Sequence, residues 1–168
     1  MDNTHLDELV EYPAKIIQRI GEDSTCIALL LNKNTQDVTE DDMDTVVSDN
    51  IFDYQYVNDT VRETAAFIMV EAEVPNVQNT QIKEMKVYIT IACHKDYMKL
   101  NPSLFPGYMG NRRDNLVRYI DKLLNNQMIF GLGRLKLNYI KTMSSSNQDF
   151  TMRTLCYEIS EFNVKKVR

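Results

Sequence analysis

The chain is poor in the residues that usually announce a site. His5 and His94 are its only histidines, and its three cysteines, Cys26, Cys93 and Cys156, are widely separated. A zinc site needs several convergent nitrogen or sulfur ligands. No CxxC or HxxxH pair supplies them, so no metal site and no cofactor are expected. Cys93 and His94 are adjacent, so on a strand they point to opposite faces and cannot form a Cys–His catalytic pair with each other. An odd set of cysteines among apolar residues predicts reduced core thiols in a protein made in a cytoplasm. Five glycines and four prolines exclude a collagenous or low-complexity chain. No run approaches the ~18 apolar residues of a membrane span, so no transmembrane helix and no membrane partner are expected. The opening MDNTHLDELVEY is acidic and lacks the basic start and apolar stretch of a secretory signal. Gly131-Leu132-Gly133 lacks the third glycine and the following helix of a dinucleotide loop, and predicts a turn.

What is present is enough apolar residue for a core: 43% of 168 residues, which predicts one domain. Charge is divided unevenly. Residues 1–60 hold 14 Asp/Glu and 3 Lys/Arg, a net of −11, and residues 61–168 hold 10 and 16, a net of +6. Such a split fits either a solvated acidic region beside an ordinary domain, or two oppositely charged surfaces that meet between copies or partners. The expected organisation is a single domain over 1–168, with a helical and acidic region at 1–60, a sheet-plus-helix core at 61–163 and a basic tail at 164–168 that frays.

Periodicity supplies the elements. Leu6, Leu9, Val10, Pro13, Ile16, Ile17 and Ile20 recur at three- and four-residue steps, one stripe of an amphipathic helix. Thr4 is a candidate cap, Pro13 a point where the helix is kinked or begins afresh, and Gly21 a stop. Residues 24–32 (STCIALLLN) fit a buried helix or a buried strand, with helix favoured. Thr39-Glu40-Asp41-Asp42 begins like a capped helix. Residues 51–57 (IFDYQYV) alternate, which predicts a strand or an extended arm. Ala65 to Val74 predicts a strand closed by Pro75, and Ile82 to Lys95 a long strand. Met85, Val87, Ile89, Ile91 and Cys93 fall on its buried face, with Glu84, Lys86, Tyr88, Thr90 and His94 on its wetter one. Asn111 caps a helix over 112–126 whose stripe is Leu116, Val117, Ile120, Leu123 and Leu124. Strands over 134–143 and 150–162 form a closing hairpin. The fold class is therefore α/β of the α+β type. It has a mainly antiparallel sheet of about four strands, a helix packed between the strand pairs, and N-terminal helices.

Candidate chemistry is thin, and no catalytic residue is expected. Glu84-Met85-Lys86 puts an acid and a lysine on one strand face, with Glu71 and Glu73 on the preceding strand. Metal-dependent nucleases of the PD-(D/E)xK kind share that tripeptide and nothing further here. Arg112, Arg113, Arg118 and Lys122 cluster on or near the helix after Asn111, but a pI of 5.1 opposes a nucleic-acid-binding footprint. The connection 96–110 (DYMKLNPSLFPGYMG) is too apolar for a bare linker. It packs either on its own domain or into a neighbour.

The order strand, strand, helix, strand, strand, with the segments NRRDNLVRYIDKLLNN, GLGRLKL and FTMRTLCYEISEF, resembles tailed-phage tail terminator or neck (head–tail joining) proteins. The resemblance spans about Ala65 to Phe162, more loosely Leu6 to Ile20. It implies a structural virion protein, made in the host cytoplasm, that caps the tail and joins it to the head without cofactor or catalysis. Its implied partners are copies of itself in a ring, commonly a hexamer, other neck, connector and tail proteins, and DNA passing through the ring. With that reading, Tyr97, Leu104, Phe105, Tyr108, Met109, Arg112 and Arg113 become interface candidates. The alternatives are the nuclease and a generic protein-interaction domain.

Overall fold

The structure, a computed structural model, describes residues 7–79, 82–128 and 133–159. Its elements run α1 (Asp7–Gly21), α2 (Ser24–Leu31), α3 (Glu40–Asp49), β1 (Ile51–Phe52), β2 (Ala66–Asn79), β3 (Ile82–His94), α4 (Arg112–Leu124), β4 (Leu135–Met143) and β5 (Phe150–Ile159). The strands form one sheet in the order β1-β2-β3-β5-β4. β1 lies parallel to β2, and every other neighbouring pair is antiparallel. The α+β class is the expected one. The sheet is five-stranded and mixed where about four antiparallel strands were expected, because Ile51 and Phe52 add a short parallel edge.

The helices follow their stripes and caps, except that Val10, expected on the apolar stripe of α1, is exposed and Tyr12 is buried in its stead. Ile16 and Ile20 of α1 are fully buried, and Leu9 and Ile17 pack against the same core. Pro13 does not divide the pattern: α1 is one helix with the proline inside it. Tertiary burial of the stripe outweighs the local cost of a missing donor. The Thr4 cap lies outside the described residues. A Cβ on Gly21 would sit 2.4 Å from Val47 Cγ2, so glycine is what lets the end of α1 meet α3. Residues 24–31 are helical, started by Asp23, whose Oδ1 accepts from Cys26 N at 2.8 Å. Cys26 through Leu30 are all buried, as suits a helix that is apolar all round. α3 carries a full capping box between Thr39 and Asp42.

Three boundaries differ from expectation. Pro75 does not close β2, which runs on to Asn79. A register shift between Glu73 and Asn76 marks a bulge there. Bulges and edges are the places where a strand tolerates a residue without N–H. Residues 51–57 are not a reaching arm, since only Ile51 and Phe52 pair as strand. The chain then folds back: Phe52 stacks on Tyr56 with centroids 4.0 Å apart, and Val57 and Val61 are buried. The helix expected over 112–126 ends at Leu124, and Leu123 is half-buried while Leu116, Val117, Ile120 and Leu124 are buried. The last strand is described to Ile159; residues 160–162 and the basic tail lie outside the described residues.

The sheet has two unlike faces. On one, α1 and α4 pack against the sheet, and Ile68, Val70, Val87, Ile89, Ile91 and Leu155 share one core cluster with the buried residues of α2. On the other, Phe67, Met69, Ala92, Phe150 and Met152 form a second, smaller cluster beneath Val57 and Val61. All three cysteines are free and buried. Burial pushes the Cys93 thiol up to about 12, so it stays protonated and acts as a small apolar side chain.

Candidate functional site

The interface candidates converge on the connection 95–111 and the start of α4. Most of them are spent on the chain's own core. Phe105 is 3% exposed and meets Tyr108 edge-on at 5.5 Å. Tyr108 in turn stacks on Tyr119 at 5.7 Å, and Leu104 packs half-buried against the core. The Tyr97 hydroxyl donates to Leu30 O at 2.9 Å. Met109 alone stands out, at 85% exposed. Of the two alternatives for this loop, packing on its own domain accounts for its apolar character.

Arg112 explains why the connection folds inward. It is 1% exposed, with no carboxylate among its described partners. Nε donates to Tyr97 O at 2.8 Å, Nη2 to Asn32 Oδ1 at 2.7 Å and to Lys99 O at 3.4 Å, and Nη1 to Leu29 O. The Tyr97 ring lies 4.1 Å beneath the guanidinium carbon. Leu29 and Asn32 form the C-terminal end of α2, where unsatisfied carbonyls carry the negative end of the helix dipole. One guanidinium thus satisfies that end, ties down the 97–99 turn and fixes the start of α4. Burial lowers its pKa, yet an arginine keeps its proton in proteins. Arg112 is therefore a keystone of the fold and is sealed from solvent, partner surfaces and DNA.

Arg113 is also mostly buried, and its Nη2 lies 3.0 Å from Asp114 Oδ1; Arg153 Nη1 approaches the same oxygen at 2.9 Å. Burial works to raise the Asp114 pKa, but hydrogen bonds from Arg113 and Asn111 and the charges of Arg113 and Arg153 hold it below the usual carboxylate range. Among the four basic residues near α4, Arg118 and Lys122 are the exposed ones, set 5.2 and 6.0 Å from the Tyr119 ring centroid. A hollow of about 530 Å³ lies outside the connection, lined by Lys95, Met98, Lys99, Leu100 and Phe105 among others. Its described lining holds no carboxylate, histidine or cysteine, so it presents two ammonium groups and no acid–base pair.

The face of the sheet that no described helix covers carries the other organised feature. Pairing registers place Glu73 of β2 opposite Lys86 of β3, Lys86 opposite Glu158 of β5, and Glu158 opposite Lys136 of β4. The result is a row of alternating charge across four strands, at the ~5 Å spacing of directly opposed residues. The next row is Glu71, Tyr88, Cys156 and Tyr139, and the one after it Met69, Thr90, Thr154 and Lys141. Thr90 and Thr154 hydroxyls are bonded at 2.7 Å. Burial, with the neighbouring Glu73 carboxylate, pushes the Tyr88 phenol above its ordinary value. The face thus grades from the apolar cluster under Val57 to open charge.

A family model matches residues 23–159 of this molecule. The chain belongs to the YomW family. This family is phage-derived, which is compatible with a phage protein. No curated protein matches the chain. The YomW match begins at Asp23, the cap of α2, and ends at Ile159, the last residue of β5, so it contains the Arg112 keystone and the charge row and leaves α1 outside. The Glu84-Met85-Lys86 tripeptide is divided: the Glu84 side chain lies outside the described residues, and Lys86 sits in the row between Glu73 and Glu158. Among the described residues no group of three or more His, Cys, Asp or Glu is placed to hold a metal ion, and no helix is long and apolar enough to cross a membrane. Sequence reasoning missed the row because its four members lie on different strands. The one available signal was the acid and lysine content of the wet faces.

Proposed function

We propose that this protein is a structural component of a phage virion: a tail terminator or neck ring subunit that caps the tail and joins it to the head. The observation that carries the reading is membership, over 23–159, in a phage-derived family by a chain whose second half runs strand, strand, helix, strand, strand. The division of charge supports it. The acidic α3 lies beside β1 at one end of the sheet, and β4, with Lys136 and Lys141 and no acidic residue, lies at the other. Subunits with unlike ends associate head to tail, and such contacts close into rings when the rotation allows. On this reading the partners are further copies, in a hexamer, together with neighbouring neck, connector and tail proteins; DNA would pass through the ring. The role needs no cofactor and no catalytic residue. The test is to abolish expression of the chain during phage growth, then examine lysates by electron microscopy and purified virions by mass spectrometry. Unattached heads and tails, or tails of abnormal length, are expected, with the chain present in wild-type virions. Normal virions without it would overturn the reading.

A further inference from the structure

The two edges of the sheet are unlike, and among the described residues both are open. β4 is the last strand in the order, and no described strand pairs with its outer side. At the other end β1 pairs with β2 only at Ile68 and Met69, which leaves β2 from Val70 onward with β3 as its sole described strand partner. The charge row that crosses the sheet ends in Glu73 on the β2 side and Lys136 on the β4 side. β4 also exposes three large apolar side chains, Tyr139 at 41%, Ile140 at 47% and Met143 at 40%. An exposed edge strand with apolar residues is a template for pairing.

We propose that β4 of one copy docks along the free part of β2 in the next copy, so that the Glu–Lys–Glu–Lys row continues across the junction. This deepens the ring-subunit reading and rests on it. Strand direction supports the contact: β2, β3, β5 and β4 are successively antiparallel, so β4 runs opposite to β2, and copies related head to tail meet as an antiparallel pair. Charge selects this arrangement over a two-fold one. Two β4 edges would bring Lys136 and Lys141 against their own kind, and two β2 edges would oppose Glu71 and Glu73; like charges directly opposite destabilise a sheet. Only the unlike edges are complementary. Apolar burial of Tyr139 and Ile140, which fall opposite Glu71 and Val70 when Lys136 faces Glu73, supplies attraction, and Lys136 against Glu73 sets register.

The experiment is sedimentation velocity of the full-length chain over a concentration series, at about 0.05 M and about 0.5 M salt. The wild type is expected to self-associate, more weakly at high salt. Lys136→Glu alone and Glu73→Lys alone should each weaken association by about tenfold or more. Mixing the two variants should restore it, because each altered edge then meets a complementary one. Each reversal also places like charges opposite within its own chain, at Glu158 or Lys86. Ile140→Lys, which leaves the charge row untouched, serves as the second variant, with circular dichroism checking all folds. It too should abolish association. A wild-type chain that stays monomeric at both salts overturns the contact and makes Lys136 and Lys141 guards against edge pairing. An oligomer indifferent to all three variants also overturns it. In either case detection of the chain in purified virions decides separately whether the ring-subunit reading survives.

Discussion

The two faces of this sheet arise from the same alternation and end in different states. On the helix-covered face, Val87, Ile89, Ile91 and Cys93 of β3 are fully buried in the core cluster they share with α1, α2 and α4. On the opposite face, Ala92 is buried, Thr90 and Tyr88 are half-buried, and Lys86 carries a charge between two glutamates. A period of two says that a strand has two faces. It does not say what covers each. Among the described residues the difference lies in the cover: a layer of helices on one side, and on the other only the folded-back segment 52–61, which shields the end near Phe67 and leaves the end near Glu73 to solvent.

The largest expected effect comes from treating the 95–111 connection as surface. From its apolar content as a docking loop, Phe105→Asp with Tyr108→Asp would leave a folded, assembly-defective monomer. Its packing predicts unfolding instead, with a loss beyond the ~3–5 kcal/mol of a buried Phe→Ala because a charge is buried as well. Urea denaturation checks this, and a double variant as stable as wild type would remove the connection from the core. Next comes a direct contrast between covered and open sides. Ile120→Ala, under the helix layer, should cost about 2–5 kcal/mol. Met143→Ala, on the open edge, should stay within about 0.5 kcal/mol. Equal losses would erase the distinction between the faces.

Lys86→Ala sharpens the reading of the charge row. It should cost less than about 1 kcal/mol and leave the proposed head–tail joining intact. Magnesium- or manganese-dependent DNA cleavage by the wild type, lost in Lys86→Ala, would favour the nuclease. The smallest effect concerns acid stability. The folded Asp114 carboxyl titrates below its ordinary value of about 3.9. Its contribution is thus fully present above that value and is lost as pH falls through the lower folded one. Asp114→Asn should be less stable than wild type at neutral pH, and its stability should fall less steeply in acid. Parallel pH–stability curves would dismiss the Arg113–Asp114–Arg153 cluster as a source of acid sensitivity.

Much of the fold was legible. The stripe of α1, the caps at Thr39 and Asn111, the faces of β3 and the closing hairpin all follow from spacing within a few residues. Pro75 misled because a proline stops a central strand but not a bulged edge, and edges are not visible in a linear pattern. The Tyr97–Tyr108 stretch left its two alternatives open for a related reason: an apolar loop signals burial without saying against what.

By itself the sequence determined the α+β class, the reduced cysteines and the alternation that divides the sheet, since each depends on neighbours along the chain. Tertiary structure alone decided that Arg112, which resembles a surface base, is sealed in the core, because its guanidinium reaches Leu29, 83 residues away. It also decided that Glu73, Lys86, Glu158 and Lys136 form one row, because strand register is set by packing and pairing between distant segments and not by any local period.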